Sequence, residues 1–337
     1  MSASHHRHAT GMLRLDRLVN PDAPIDAVAE ALADIDLVAL DQDTLRRGLR
    51  RRIAAMLGMD SRWIVLAAGI DVLYRALVDL RLETGPFGVF PPTRLAELQR
   101  VVDRGGEIAV APRRDGFALG LVRDDRRLPP GTTSVVMSPN DPTGTLVELI
   151  DLVRLARSSG MVVVDERHGG YTPRTAAPLA REFENVVVLQ SMEWWGGLID
   201  MPVAWAIAPP PIAGALDALV AGAAPDRPAL VAGHAVLDDW GWMRRLLHTT
   251  ALEKGRLFRQ LRKLNMLHQP SPSWANYLLV RFARGDVDFF VPRLDERGIR
   301  VFVPDQDLLP GHIRVSAVSP EATDALKRAL IDIALDL

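Results

Sequence analysis

Several short segments of this chain are apolar at almost every position. Met161–Val164 and Val186–Leu189 are apolar throughout, and Thr133–Met137 and Val203–Ile207 nearly so. A strand with one wetted face alternates apolar and polar residues, whereas a continuous apolar run needs cover on both faces. Helical spacing separates these runs, over Asp43–Leu57, Asp71–Leu82, Leu95–Arg104 and Leu146–Ser158. Shorter apolar stretches at Trp63–Ala67, Gly88–Phe90 and Glu107–Ala111 add strands. The alternation predicts an α/β fold, with a mostly parallel sheet between two layers of helix.

Pro209-Pro210-Pro211 breaks this rhythm, and a long helical tract follows over about 229–264, interrupted at Gly241. Beyond it, strands at Asn276–Phe282, Ile299–Val303 and Ile313–Ala317 mix with helices at Val287–Arg297 and Glu321–Leu335. This looser pattern predicts a smaller α+β unit. The expected organisation is an N-terminal arm over 1–20, a large unit over 21–242 and a small unit over 243–337. The first residues of the large unit are open to assignment to the small one.

Composition narrows the function. With 40 Lys+Arg against 42 Asp+Glu and a net charge of −2, there is no electrostatic footprint for nucleic acid or for an anionic membrane. No apolar stretch is long enough to span a bilayer. The absence of cysteine excludes disulfides, thiolate metal sites and a cysteine nucleophile, and fits the cytoplasm. His5, His6 and His8 read as part of a mobile polar arm, and no metal site is expected. Lysine occurs only at Lys254, Lys263 and Lys327, all expected on solvated surface.

Ser138-Pro139-Asn140-Asp141-Pro142-Thr143-Gly144 lies between a strand and a helix. Its residues force a tight turn at a strand's carboxyl end, where α/β sheets bind ligands. The next apolar strand runs into Asp165-Glu166-Arg167-His168, which puts a carboxylate at its carboxyl end. Ser191 to Trp205 and His312-Ile313-Arg314-Val315-Ser316 complete the set.

In order and content these segments resemble the class I/II aminotransferases, in the branch of histidinol-phosphate aminotransferase and threonine-phosphate decarboxylase. The resemblance runs from about Asn20 to the end. It includes Asn20-Pro21, Gly69-Ile70-Asp71, Pro92-Thr93, Ser273-Trp274-Ala275-Asn276-Tyr277 and Ile313–Ser316. It implies a fold type I architecture, a large α/β domain plus a small α+β domain, built on pyridoxal phosphate (PLP) chemistry. That chemistry needs a lysine amine for a Schiff base, a carboxylate on the pyridine nitrogen, and donors around a phosphate. The resemblance makes Asp165 the pyridine-nitrogen carboxylate, Ser191 a phosphate ligand and Arg314 the grip on a substrate carboxylate. Asp71 and Asp141 fall at further cofactor positions, and Asn20 in a substrate loop.

The remaining positions depart from the family. Gly197-Leu198 fixes the register around the expected lysine, and Trp194 stands there instead. Glu193 replaces a serine and Pro202 a phosphate-binding arginine. Asp141 replaces an asparagine, His168 a tyrosine, and Arg94-Leu95 occupy the ring-stacking loop. A carboxylate ~4 Å from a phosphate costs ~4 kcal/mol at an effective dielectric of about 20. The sequence therefore predicts an aminotransferase fold without ordinary transamination and without a cofactor. Its crevice would serve an amino-acid-like or anionic metabolite, with His168 and Asp165 as catalytic candidates and Arg314, Trp194 and Asn20 as substrate-binding candidates. Two alternatives stand beside this reading: noncovalent use of PLP or its pyridoxamine form (PMP), and an inactive subunit supporting a partner enzyme. The expected assembly is a homodimer, or a heterodimer with an active homologue.

Overall fold

The computed structural model describes residues 11–35, 41–122, 127–304 and 307–337. The histidines at positions 5, 6 and 8 lie outside them. The chain opens with β1 (Leu13–Arg14), α1 (Asp26–Ala33) and α2 (Gln42–Met56). It then builds the large sheet from β2 (Ile64–Ala67), β3 (Phe87–Val89), β4 (Ile108–Val110), β5 (Thr133–Met137), β6 (Met161–Asp165), β7 (Val186–Ser191) and β8 (Ala204–Ile207). The strand order is β2-β8-β7-β6-β5-β3-β4. Neighbours from β7 through to β4 are parallel, and β8 alone runs antiparallel to both strands beside it.

The continuous apolar runs are explained by two helical layers. β5 and β6 are buried at every position. Val136, Val162, Val164 and Val188 face one core with α1 and α2, while Val135, Val163, Val187 and Leu189 face the other. That second core contains α3 (Ile70–Arg81), which buries Leu73, Tyr74 and Leu77. The short α4 (Gln99–Asp103), α5 (Leu149–Ser158), α6 (Leu179–Glu182), α7 (Pro210–Val220) and α8 (Arg227–Asp238) complete the layers.

α9 (Trp240–Leu261) joins the two cores. Its Met243 and Leu247 sit in the large core, its Leu257 and Leu261 in the small one. The helical break falls at Asp239 rather than at Gly241, because the Asp239 side chain accepts from Trp242 N at 3.3 Å and starts a new helix. In the small unit β9 (Tyr277–Arg281) pairs antiparallel with β11 (His312–Ser316), over α10 (Val287–Glu296) and α11 (Pro320–Ala334). β1 pairs in parallel with β10 (Ile299–Arg300), and Leu15 is buried in the same core. Among the described residues no helix is long and apolar enough to cross a membrane.

Candidate active site

The carboxyl ends of β5, β6 and β7 converge with β11 of the small unit. β6 delivers Asp165, fully buried, at its last position. Its Oδ2 accepts from Tyr74 OH at 2.8 Å and from Arg167 Nε and Nη2 at 2.9 and 2.6 Å. Its Oδ1 accepts from the Arg167 backbone N at 2.9 Å. Arg167 also donates to Glu97 Oε1 at 2.6 Å and lies over the Tyr74 ring. Burial works against the Arg167 charge, but Asp165 and Glu97 outweigh it and hold the guanidinium well above its ordinary value. The four side chains form a closed network in which one arginine serves two carboxylates. Arg167 stands two residues from Asp165, but Tyr74 and Glu97 were not legible as members of this network, because distant elements supply them.

Glu166 turns the other way. Its carboxylate accepts from Ala176 N, Thr175 Oγ1 and Gln190 Nε2 at 2.5, 2.6 and 2.7 Å, which pins the loop before α6. Burial pushes it up to about 7.

α3 begins beside this network without a capping side chain of its own. Its N-cap is Gly69, at φ +102°, a backbone region that side chains rarely adopt. Glu193 supplies the missing acceptor: its Oε1 takes a hydrogen bond from Ile70 N at 2.8 Å. A Cβ on Gly69 would come within 3.2 Å of both Glu193 Oε1 and Pro202 Cβ, so these two side chains close over the helix end. Ser191 is buried at the end of β7, and its Oγ accepts from Glu193 N at 3.4 Å. Burial raises Glu193 to about 7, against the opposing hydrogen bond from Ile70 N. Asp71 does not join this group. It pairs with Arg100 at 2.6 Å and with Arg75 on the outer side of α3.

The third cluster bridges the two units. The turn after β5 is held by Arg113, whose Nη2 donates to Asn140 Oδ1 at 3.0 Å, and by Tyr277 OH, which donates to Asn140 O at 2.8 Å. It presents Asp141 to Arg314 Nη1 at 2.5 Å and to Arg94 Nη1 at 3.5 Å. Arg314 Nη2 donates to Asp16 O at 2.8 Å, while its Nε is buried without a partner. The arginine marked as a substrate grip thus holds an internal carboxylate.

His168 is buried between Trp194 and Tyr277, at ring-centroid distances of 6.1 and 5.7 Å. Neither of its nitrogens has a hydrogen-bond partner. Burial lowers it to about 4, so it is neutral near pH 7. It is not bonded to Asp165, whose oxygens are taken by Tyr74 and Arg167. Trp194 packs on Leu18, Ala275 and Tyr277 with its Nε1 buried and unpartnered. Trp195 points instead into the large core, 5.9 Å from Trp240. Asn20 is buried beneath them. Its Nδ2 donates to Trp195 O at 3.2 Å and its Oδ1 accepts from Asp22 N at 3.2 Å, so it anchors the loop.

A cavity of about 670 Å³ opens above these residues. Arg14, Arg17, Arg94 and Arg314 line it with Asp16, Asp200, Asn20 and Trp194. None of the three lysines lines it. Lys254 corrects the solvated-surface expectation: its Nζ donates to Ser273 O at 2.5 Å, and burial lowers it to about 8. No group of three or more metal-ligating side chains occurs among the described residues.

The family model for aminotransferase class I and II matches residues 129–330. The chain belongs to the class I and II aminotransferases. It is 26% identical over 321 residues to a histidinol-phosphate aminotransferase of Dehalococcoides mccartyi, covering 95% of this chain and 89% of the relative. The fold matches histidinol-phosphate aminotransferase from Sinorhizobium meliloti in complex with pyridoxal-5'-phosphate, with a TM-score of 0.82, 22% identity and coverage of 96% and 91%. It also matches L-threonine-O-3-phosphate decarboxylase from Porphyromonas gingivalis, with a TM-score of 0.76, 14% identity and coverage of 96% and 99%. The fold type I aminotransferase architecture read from the sequence is thereby shown.

These findings overturn the expectation of a protein without a cofactor. The chain's family is that of the aminotransferases, and a solved neighbour of the same fold is in complex with PLP. The side chains as placed do not fit that group. Asp165 Oδ2 is fully engaged by Tyr74 and Arg167, and its Oδ1 already accepts from Arg167 N, so a ring nitrogen would meet a carboxylate committed to Arg167. The α3 N-terminus, the natural seat of a phosphate, holds the Glu193 carboxylate.

Proposed function

We propose that this aminotransferase-family chain binds a small amino-acid-like dianion in the cavity above Trp194 and Arg314, and that it does not carry out lysine-based transamination. The carrying observation is the cavity itself. Four arginines line it against two aspartates, and Arg314 Nε and Trp194 Nε1 at its floor are buried donors without acceptors. A buried unsatisfied donor costs about 1–3 kcal/mol, which a ligand carboxylate or a bound water recovers. The absence of a lysine at the Trp194 position supports the second half of the reading. Lys254 and Lys327 are tied to Ser273 O and Gln260 Oε1.

Calorimetric titration with succinate tests the binding. Saturable binding that Arg314→Gln abolishes supports the reading. No heat from succinate, L-glutamate or L-aspartate at millimolar concentration would sink it. A second reading keeps the family cofactor bound noncovalently, favoured by the solved relative in complex with PLP. It requires Glu193 and Arg167 to move. A homodimer belongs to the same proposal, and light scattering of the purified chain tests it.

A further inference from the structure

We infer that Glu193 is the residue that sets this chain's affinity for phosphate-bearing ligands: its carboxylate occupies the α3 N-terminus as an internal anion, which a phosphate must displace to enter. The inference rests on the family assignment and is independent of the dianion cavity, which Glu193 does not line.

Three observations carry it. First, the end of α3 is built to receive an anion. Gly69 has no side chain to cover the helix end, and its positive φ turns the chain sharply into the first turn. Second, the anion present belongs to the protein. Glu193 Oε1 accepts from Ile70 N at 2.8 Å, and Pro202 closes the side. Third, the neighbouring cation is already engaged by the protein's own carboxylates. Arg167, the nearest cation, donates to Asp165 and Glu97 rather than reaching the helix end. A phosphate arriving beside an ionised Glu193 meets like charge and finds no free arginine.

The experiment compares the full-length wild type with Glu193→Ser and Glu193→Gln. Ser restores a short hydroxyl. Gln keeps the cap on Ile70 N, and hence the fold, while removing the charge. Inorganic phosphate, pyridoxamine phosphate and unphosphorylated pyridoxamine are titrated by calorimetry, with circular dichroism to check folding. Both variants should bind the two phosphate-bearing probes at least about tenfold more tightly than wild type, with pyridoxamine unchanged. Equal phosphate affinity in all three proteins overturns the inference. So does a gain for unphosphorylated pyridoxamine as large as for its phosphate, since the substitution would then merely have opened space. Succinate binding, measured on the same samples, reports on the dianion cavity separately and should not change.

Discussion

Asp141→Asn separates the structural and the binding roles of Arg314. Both side chains of the Asp141–Arg314 pair are nearly inaccessible, at 6% and 2% exposure. Removing one partner of a buried ion pair costs about 3–5 kcal/mol, because the other charge is left uncompensated. Two features reduce that figure here. Asparagine keeps an acceptor oxygen toward Arg314 Nη1, and Arg314 Nη2 keeps its bond to Asp16 O. The expected loss is about 2–3 kcal/mol of unfolding free energy. The same substitution removes the internal competitor for the guanidinium, so succinate should bind about tenfold more tightly and restore part of the lost stability. Urea denaturation with and without succinate, together with calorimetry, measures both effects. A variant as stable as wild type with unchanged succinate affinity would refute the reasoning. Lower stability without a binding gain would show that Arg314 serves packing alone.

Burial of Glu166 predicts a pH dependence of stability. Its ordinary value of 4.5 rises to about 7 through burial, so the protonated form is favoured in the folded state. Its contribution is fully present below pH 4.5 and is lost as pH rises through 7, by about 3 kcal/mol at most. Glu166→Gln should flatten the fall in urea midpoint between pH 5 and pH 8, and an unchanged slope would contradict this. Gly144→Ala should destabilise by about 1–3 kcal/mol, because φ is +71° and the new methyl group would run into Ser273. A midpoint within error of wild type would show that the turn after β5 relaxes freely.

Legibility in the sequence followed the range of the interaction. The parallel sheet was readable because a strand covered on both faces leaves its mark in consecutive residues, as in Met161–Val164 and Val186–Leu189. Asp165 at the end of β6 and Asp141 in the turn after β5 were readable from motif order. What engages them was not. Tyr74 reaches Asp165 from α3, Glu97 reaches Arg167 from the segment before α4, and Arg94 and Arg314 reach Asp141 from two further elements. No local pattern records such pairings. Glu193 was visible as a charge hostile to phosphate, but its role as the cap of α3 depends on a contact 123 positions away in the chain. Asp71 shows the converse. Its motif position is intact, yet the arginine at position 100 draws it to the outer side of α3. The expected lack of a cofactor failed because it was read from the substituted side chains alone, whereas the chain belongs to the aminotransferases and a solved neighbour of the same fold is in complex with PLP.

The central proposal is that no amine of this chain serves as the Schiff-base lysine, a position that the sequence resemblance assigns to Trp194. Incubation of the purified full-length protein with PLP, reduction with borohydride, and peptide mapping by mass spectrometry tests it directly. The expected result is no stoichiometric pyridoxyl-lysine at Lys254, Lys263 or Lys327, with only trace labelling at Lys254, whose amine burial makes more nucleophilic near neutral pH. One pyridoxyl group per chain on a single lysine, suppressed by succinate, would contradict it.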